Sequence, residues 1–598
     1  MNSTLKNKRI YQRLVAVCAM VFLAGAFGPI TGWALTNSWN TSASDKWEAA
    51  GDWSLGLAPT NTQSIYVTNS ISKIVTIDST TVGTFPNTMT VNDLSLWSSG
   101  STTNTVLISN IGTNVSLTML TSLSISNGGV LVISNSAVLV TGPTNTVDNL
   151  GGSIVLANGS LAVSNVAAVG PEPGSPGLLT INGTGSFSGY LAVGLDTNAV
   201  GNVFLSGGQL ALTNGPTAVG LYGTGQLTVV NGSVLTSDQP VLVGLGAASQ
   251  GAVVMDTSSW IAAGHMVVGE YDGATGVVQI TSGQLTVTNA FLMLIGGGGN
   301  GQQFWSNATV SVGPLEIGAN GGTLPFATNI APHAGSQGTL TMMGSTVEVQ
   351  GPLFLGTGIG ATGTVWMTGG QLVATNSPIF VAPWGDGNIT ISNGTWIGNS
   401  MQLGMYFCVI TNAPATNQVA FPARGTLNLD GGSATLFSNM VIGNCPTGGV
   451  GVVNVAGGSL YVTNAAHNAY IDVRNGQLIL SAGLLKTDVL ILTNTCGQFI
   501  HTGGALIVSK VIFNTNAFQI TAITPQGNDL FITWLMAPGL TNALQVSAGG
   551  VGGIYTTNGF TDIFVVTNSA GPGVTTNYLD VGGATNSPAR YYRVRLVP

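Results

Sequence analysis

An aliphatic residue followed by glycine returns about every 25 residues through the middle of the chain. The pair occurs as Val169-Gly170, Val193-Gly194, Val219-Gly220, Val243-Gly244, Val268-Gly269, Ile295-Gly296, Ile317-Gly318, Leu355-Gly356, Leu403-Gly404 and Ile442-Gly443. A period of that length makes each unit one supersecondary element stacked on its neighbours. Aligned on those glycines, the repeats read L-x-V-x-x-G-G-x-L-x-V-T-N, a spacer, L-x-V-G and a variable turn ending in glycine. The first segment alternates apolar and other residues, as in Leu179/Ile181, Val203/Leu205 and Leu227/Val229, with Thr180, Phe204 and Thr228 between them. Such alternation marks a strand with one buried face. The second segment behaves alike in Leu210/Leu212 and Leu285/Val287 and often closes on Thr-Asn, a turn pair that tolerates left-handed backbone. Three short strands joined by glycine turns describe one coil of a three-faced parallel β-solenoid, with ladders of Val, Leu, Ile and Met inside. Residues 90–517 are assigned to it, about 17 coils rising ~4.8 Å each.

Composition narrows the partners. The chain has 13 Lys and Arg against 21 Asp and Glu, and 86 glycines among 598 residues. An apolar run from Leu14 to Gly28 follows Lys6, Lys8, Arg9 and Arg13 and precedes Gly32 and Ala34. That pattern reads as a secretory signal peptide, residues 1–34, cleaved after Ala34, and the run is too short to serve well as a membrane anchor. The mature chain then carries a net charge of 9 − 21 = −12 and no transmembrane segment. No Lys or Arg lies between Lys73 and Arg424, which excludes nucleic acid and anionic lipid as partners, because both are held by clustered cations. The mature cysteines, Cys408, Cys445 and Cys496, give no disulfide framework. Cys408 and Cys445 stand where stacked coils could bridge them, and buried free thiols are the favoured reading.

The ends need covering, since an open solenoid exposes unpaired strand edges. Residues 35–89, with Trp39, Trp47 and Trp53 ahead of Pro59, read as an aromatic N-terminal cap and first strands; sugar stacking by the tryptophans is the lesser alternative. Residues 518–598 lose the glycine ladder and give about seven strand-like runs, including Asp529–Leu535 and Tyr591–Val597, with Trp534 and Tyr591-Tyr592 as core: a small antiparallel β-sandwich.

These residues resemble a known group. The stretch Val219-Gly220-Leu221-Tyr222-Gly223-Thr224-Gly225-Gln226-Leu227-Thr228-Val229 is similar to the autotransporter and PEP-CTERM-associated repeat of large secreted bacterial proteins, and Trp47 and Trp53 with Pro59 look like the entry segment of such proteins. The tail, with Ile532-Thr533-Trp534 and Arg590-Tyr591-Tyr592-Arg593-Val594-Arg595, resembles fibronectin-type-III-like C-terminal domains. The resemblance implies export and a surface role. It departs from that pattern in lacking a translocator barrel after the repeats and a C-terminal apolar helix with a basic cluster. Pro171-Glu172-Pro173 matches the sorting tripeptide by chance.

Few residues carry catalytic chemistry. His265, Glu270 and Asp272 form the tightest ionisable group, but Glu270 and Asp272 fall in the turn after Val268-Gly269, where Asp272-Gly273 is ordinary turn chemistry. The glycine run 296–299 lacks the acidic ligands of a calcium repeat. A uronate lyase needs a cation the central repeats lack, and a glycosidase needs two carboxyls about 5–9.5 Å apart, which these acids, sharing no register, do not offer. No catalytic residue, cofactor or metal is therefore expected. The residue between the two inward positions of the third segment is mostly apolar, as in Ala192, Ala218, Leu242, Val267 and Leu294, with Glu316 an exception. It predicts an apolar face for self-association or packing on a cell-wall polysaccharide, unless the turns cover it. Two insertions follow Gly318 and Gly404 and carry Phe326, His333, Phe407, Phe421 and Arg424; these, with the outward aromatics Phe204 and Trp366, are the candidate interaction residues. The reading is an all-β, exported, non-enzymatic structural or adhesive surface protein, secreted or cell-surface, with an extracellular glycan-binding module as the alternative and a carbohydrate-active enzyme third.

Overall fold

The computed structural model describes residues 34–598 apart from 143–145, 289, 320–334, 406, 411–418, 445–447, 514–518, 538–539, 550–558, 569–573, 586–588 and 598, with backbone alone for 407–410 and 419–422. Residues 1–33 of the expected signal peptide 1–34, Phe326, His333 and Cys445 thus lie outside the described residues. The fold is all-β, with a parallel β-solenoid of about 18 turns and small antiparallel sheets. The chain divides into two compact units, one running to Leu340 with Ser345–Val347, the other comprising Thr341–Gly344 and Glu348 onward.

In the first unit each coil is three strands stacked in parallel register on the next. Val200–Ser206, Gln209–Leu212 and Thr217–Val219 pair with Thr224–Val230, Val234–Ser237 and Val241–Val243. The register puts Leu179, Val203, Leu227, Val253 and Val278 in one inward column and Ile181, Leu205, Val229, Met255 and Ile280 in its neighbour. All are buried. A one-residue slip would turn every one of them to solvent, which is why the alternation fixes the register.

The motif glycines turn each coil into the next. All ten have φ between +62° and +72°, the left-handed region that a side chain disfavours. Space is closed to them as well: a Cβ on Gly244 would lie 2.5 Å from the carbonyl carbon of Thr275 in the following coil and nearer still to its oxygen.

The two inward columns change character at strand Asn300–Ser306, where Gln303 follows Val278 and Trp305 follows Ile280. Gln303 is fully buried, and neither its amide nitrogen nor its amide oxygen has a hydrogen-bond partner among the described residues. Burying an unsatisfied amide is costly, so Gln303→Leu is expected to stabilise the protein by about 1–2 kcal/mol, read as a higher urea midpoint. An unchanged or lower midpoint would show that the amide is satisfied.

Coiling starts at the N-terminus: Leu35–Ser38 pairs in parallel with Gln63–Val67, and that strand with Thr90–Leu96. Trp39, Trp47 and Trp53 are buried together, with edge-on ring contacts at 5.0 and 5.3 Å. The Trp53 indole N–H donates to the Trp47 carbonyl (2.8 Å) and that of Trp47 to the Thr88 carbonyl (3.0 Å). These rings are packing groups, and the sugar-stacking alternative for them falls. A short helix, Ser79–Thr84, follows, capped by Asp78, which accepts from the Thr80 amide and also pairs with Lys46. The Lys46 contact holds the Asp78 carboxyl below the usual range and raises the ammonium.

The second unit is built from coils of the same kind. Val365, Ile389, Leu427, Val453, Leu478 and Phe499 share an inward column. The coil of strand Ile379–Val381, which pairs with Leu353–Leu355 and Met401–Leu403, lacks the motif glycine, and the position after the strand is Ala382, buried at φ +57°. Its amide donates to Leu355 (2.7 Å), just as that of Gly404 donates to Val381 (2.8 Å). A β-carbon held in left-handed backbone is strained, so Ala382→Gly is expected to raise the denaturation midpoint, by about 0.5–1 kcal/mol net of the greater unfolded-state entropy of glycine.

After the solenoid, six described strands form two three-stranded antiparallel sheets, one of Gln519–Gln526, Asp529–Leu535 and Thr575–Asp580, the other of Thr561–Thr567, Thr541–Ala548 and Arg590–Val597. Ile532, Trp534, Met536 and Leu544 are buried between them, with Phe564, Tyr578 and Tyr592 packed around, which makes the antiparallel β-sandwich. Tyr592 donates its hydroxyl to Asp580, and burial, with that carboxylate, raises its phenol pKa.

Candidate functional site

The expected apolar face exists but is not free. Ala168, Ala192, Ala218, Leu242, Val267 and Leu294 do point away from the coil interior, yet all are buried. The reason lies in the glycine turn. Its left-handed backbone reverses the chain so that the next residue, Leu195, Leu221 or Leu245, lies back over the outer face of the third strand. Backbone bonds from Leu221 to Gly194 (3.1 Å) and from Leu245 to Gly220 (3.0 Å) hold these turns in their own stack. With Tyr190 and Leu292 they form a second hydrophobic core outside the coil. The surface proposed for self-association is therefore packed by the chain's own turns through this part of the solenoid. In the second unit the corresponding strand positions carry Phe354 and Phe380, half-buried and stacked at 5.1 Å.

The ionisable group near the glycine run is structural. The Nδ1 of His265 accepts from the Leu292 amide (3.0 Å), and burial lowers its pKa, so the neutral ring is favoured. Glu270 is buried in the turn after Gly269, and the glycine run of the next coil stacks on it. A Cβ on Gly297 would approach the Glu270 carboxylate to 2.6 Å, and one on Gly298 the Glu270 carbonyl to 2.6 Å. The run 296–299 thus makes room for a buried acid. No cluster of three or more His, Cys, Asp or Glu stands together among the described residues.

The candidate interaction residues are dispersed. Phe407 and Phe421 lie on opposite strands of an antiparallel hairpin, Phe407–Ile410 with Val419–Pro422, inserted after Gly404. Arg424 stands in register on Asp386 of the preceding coil. Burial raises the Asp386 carboxyl and the Arg424 guanidinium counters it, so the central cation has an acidic neighbour. Phe204 and Trp366 are outward and exposed as expected. Phe304, passed over in the sequence, is exposed in the same outward column as Phe204, with Thr228, Val254 and Gln279 between them. Cys496 is disulfide-bonded, so the expectation that the mature cysteines give no disulfide does not hold for this residue.

A groove of about 390 Å³ opens at one corner of the first coils, where turns from successive coils meet. Its lining includes Trp97, Ser98, Ser126, Asn127, Glu172 and Ser175. Trp97 is 44% exposed, and Asn127 and Glu172 are exposed. The Ser98 amide donates to the Asn127 carbonyl (2.8 Å), tying the first two turns together. Gly151, at φ +93° next to the lining residue Leu150, is packed against two of the lining side chains: a Cβ there would press on the Asn127 side-chain oxygen and lie 3.0 Å from the Ser175 Cβ. Leu150, also in the lining, shares strand Thr146–Leu150 with Asp148, whose carboxyl pKa burial raises and the Glu172 charge raises further. Sequence reasoning missed this place because its residues belong to four different turns. The one local signal was Trp97-Ser98-Ser99-Gly100, an outward tryptophan at a coil corner. No family model, no curated protein and no solved structure matches the chain.

Proposed function

We propose that the chain is an exported, non-enzymatic structural component of a bacterial surface, a solenoid scaffold that presents its turns and inserted loops for adhesion. The observation that carries this reading is where the chemistry-bearing side chains go. His265, Glu270 and the three N-terminal tryptophans are all engaged in packing or hydrogen bonds of the scaffold. Export is supported by the cleavage pattern ending at Ala34, immediately before the strand Leu35–Ser38, and by the Cys496 disulfide, a bond that persists in oxidising compartments. The test is expression of the full chain in a bacterial host, with fractionation and N-terminal sequencing. An exported product beginning at Leu35 supports the reading, and an uncleaved cytoplasmic product counts against it. The same material offers a second check. With three mature cysteines and one bond, a thiol assay in denaturant is expected to find one thiol per chain before reduction and three after. Three thiols before reduction would remove the support from the disulfide.

An extracellular glycan-binding module is the second reading, favoured by the groove that holds Trp97 and Glu172.

A further inference from the structure

We infer that the groove at Trp97 is a binding site for an uncharged polysaccharide, with a pyranose ring stacked on the Trp97 indole and its hydroxyls held by Asn127, Glu172 and the serines. The inference rests on the second reading above, and its failure would leave the scaffold reading standing.

Three observations meet here. The first is shape: the volume falls within the roughly 300–1,000 Å³ usual for small-molecule sites, and the groove is built by turns of stacked coils. The second is the pairing of surfaces. A sugar ring presents an apolar C–H face and a polar rim, and the groove offers an exposed indole beside carboxylate, amide and hydroxyl groups. Among the described residues, the side chains of Ser126, Asn127, Glu172 and Ser175 make no hydrogen bond within the chain, which leaves their donors and acceptors available to a ligand. A carboxylate accepts two hydroxyl hydrogens at once, which suits a vicinal diol. The third is charge. Glu172 places a carboxyl side chain in the lining, and no Lys or Arg occurs from residue 74 to residue 423. Uronates and sulfated sugars would meet repulsion with no cation to offset it, so the ligand class is the uncharged glycans.

The contrast with other aromatics on the coil sharpens the choice. Phe204 is exposed on a strand face with Thr180 and Thr228 as its register neighbours, and no acid or amide stands beside it in that column.

The experiment is affinity electrophoresis and calorimetry of the whole mature chain against soluble β-glucan, galactomannan and chito-oligosaccharides, with polygalacturonate as the anionic comparison and reducing-end release followed in parallel. Binding is expected to at least one uncharged glycan and not to polygalacturonate. Trp97→Ala is expected to weaken it about tenfold, the scale of one lost aromatic stack, and Glu172→Gln several-fold, while Phe437→Ala, at an exposed aromatic outside the groove lining, binds as the parent does. Circular dichroism identifies a Trp97→Ala chain that has lost its fold, and Glu172→Gln, on an exposed turn, then carries the test alone. The inference is overturned if none of the three uncharged glycans binds, if polygalacturonate binds as well as they do, or if Trp97→Ala and Glu172→Gln both bind like the parent. Release of reducing ends that is lost in Asp148→Asn would also overturn it, replacing a binding groove with a hydrolytic one.

Discussion

Gly244→Ala is expected to cost more than about 4 kcal/mol, enough to open the coils on either side of it. Two separate penalties add. At φ +68° any L-side chain carries the left-handed torsion cost, about 1–2 kcal/mol. The new Cβ also overlaps the carbonyl of Thr275 and lies 2.9 Å from the amide nitrogen of Gly276, both backbone of the next coil. Neither group can move without breaking the parallel register of that coil, in which Thr275 pairs with Gln250. Overpacking against backbone is among the few mechanisms that produce so large a loss from a single methyl group. Gly232 separates the two terms. It has φ +74° but nothing within 4 Å of its Cβ position, so Gly232→Ala is expected to cost only the torsion, about 1 kcal/mol. Urea denaturation with limited proteolysis reads both, and equal losses at the two sites would show that the close approach at Gly244 is not rigid.

The same glycine explains what was legible in the sequence and what was not. A period of two tells which way a side chain points, and it placed the inward ladder from Leu179 to Val278 and its outward neighbours correctly. It does not tell what lies beyond an outward side chain. Ala218 and Leu242 point out of the coil and are nonetheless buried, because a left-handed turn folds Leu221 and Leu245 over them. A leucine two residues after the last strand residue was the available signal. The coil at Ile379–Val381 was hidden for a different reason: Ala382 holds the glycine conformation without the glycine. Trp97 and Glu172 are 75 residues apart and share no motif, so the groove follows only from the stacking of coils. Gln303 broke the apolar column openly, but no sequence rule says whether a buried amide finds a partner.

Leu245→Asp tests the second core directly. Leu245 is 5% exposed and packs in one apolar cluster with Leu221, Leu242 and Val267, a setting that offers a carboxylate no cation. Charging that site costs several kcal/mol, and the introduced carboxyl keeps its proton to a higher pH in the folded state than in the unfolded chain. The sign of the pH effect follows. Below the unfolded carboxyl pKa, near 3.9, the group is neutral in both states and only the lost packing remains, about 2 kcal/mol. As pH rises above that value the unfolded chain releases the proton first, so stability falls until the folded-state pKa is passed. Leu245→Asn should show the packing loss at every pH. The loss for Leu245→Asp over Leu245→Asn is therefore expected to grow from near zero at pH 3 to about 3 kcal/mol at pH 8, measured by denaturant midpoints. If the turn lifts instead of unfolding the coil, the outward column of Ala218, Leu242 and Val267 becomes the apolar face that the sequence suggested. Dye binding and concentration-dependent sedimentation at pH 8, stronger than those of the parent, would report it. A variant as stable as the parent at pH 8, with neither signal, would mean that the turn leucines do not seal the outer face.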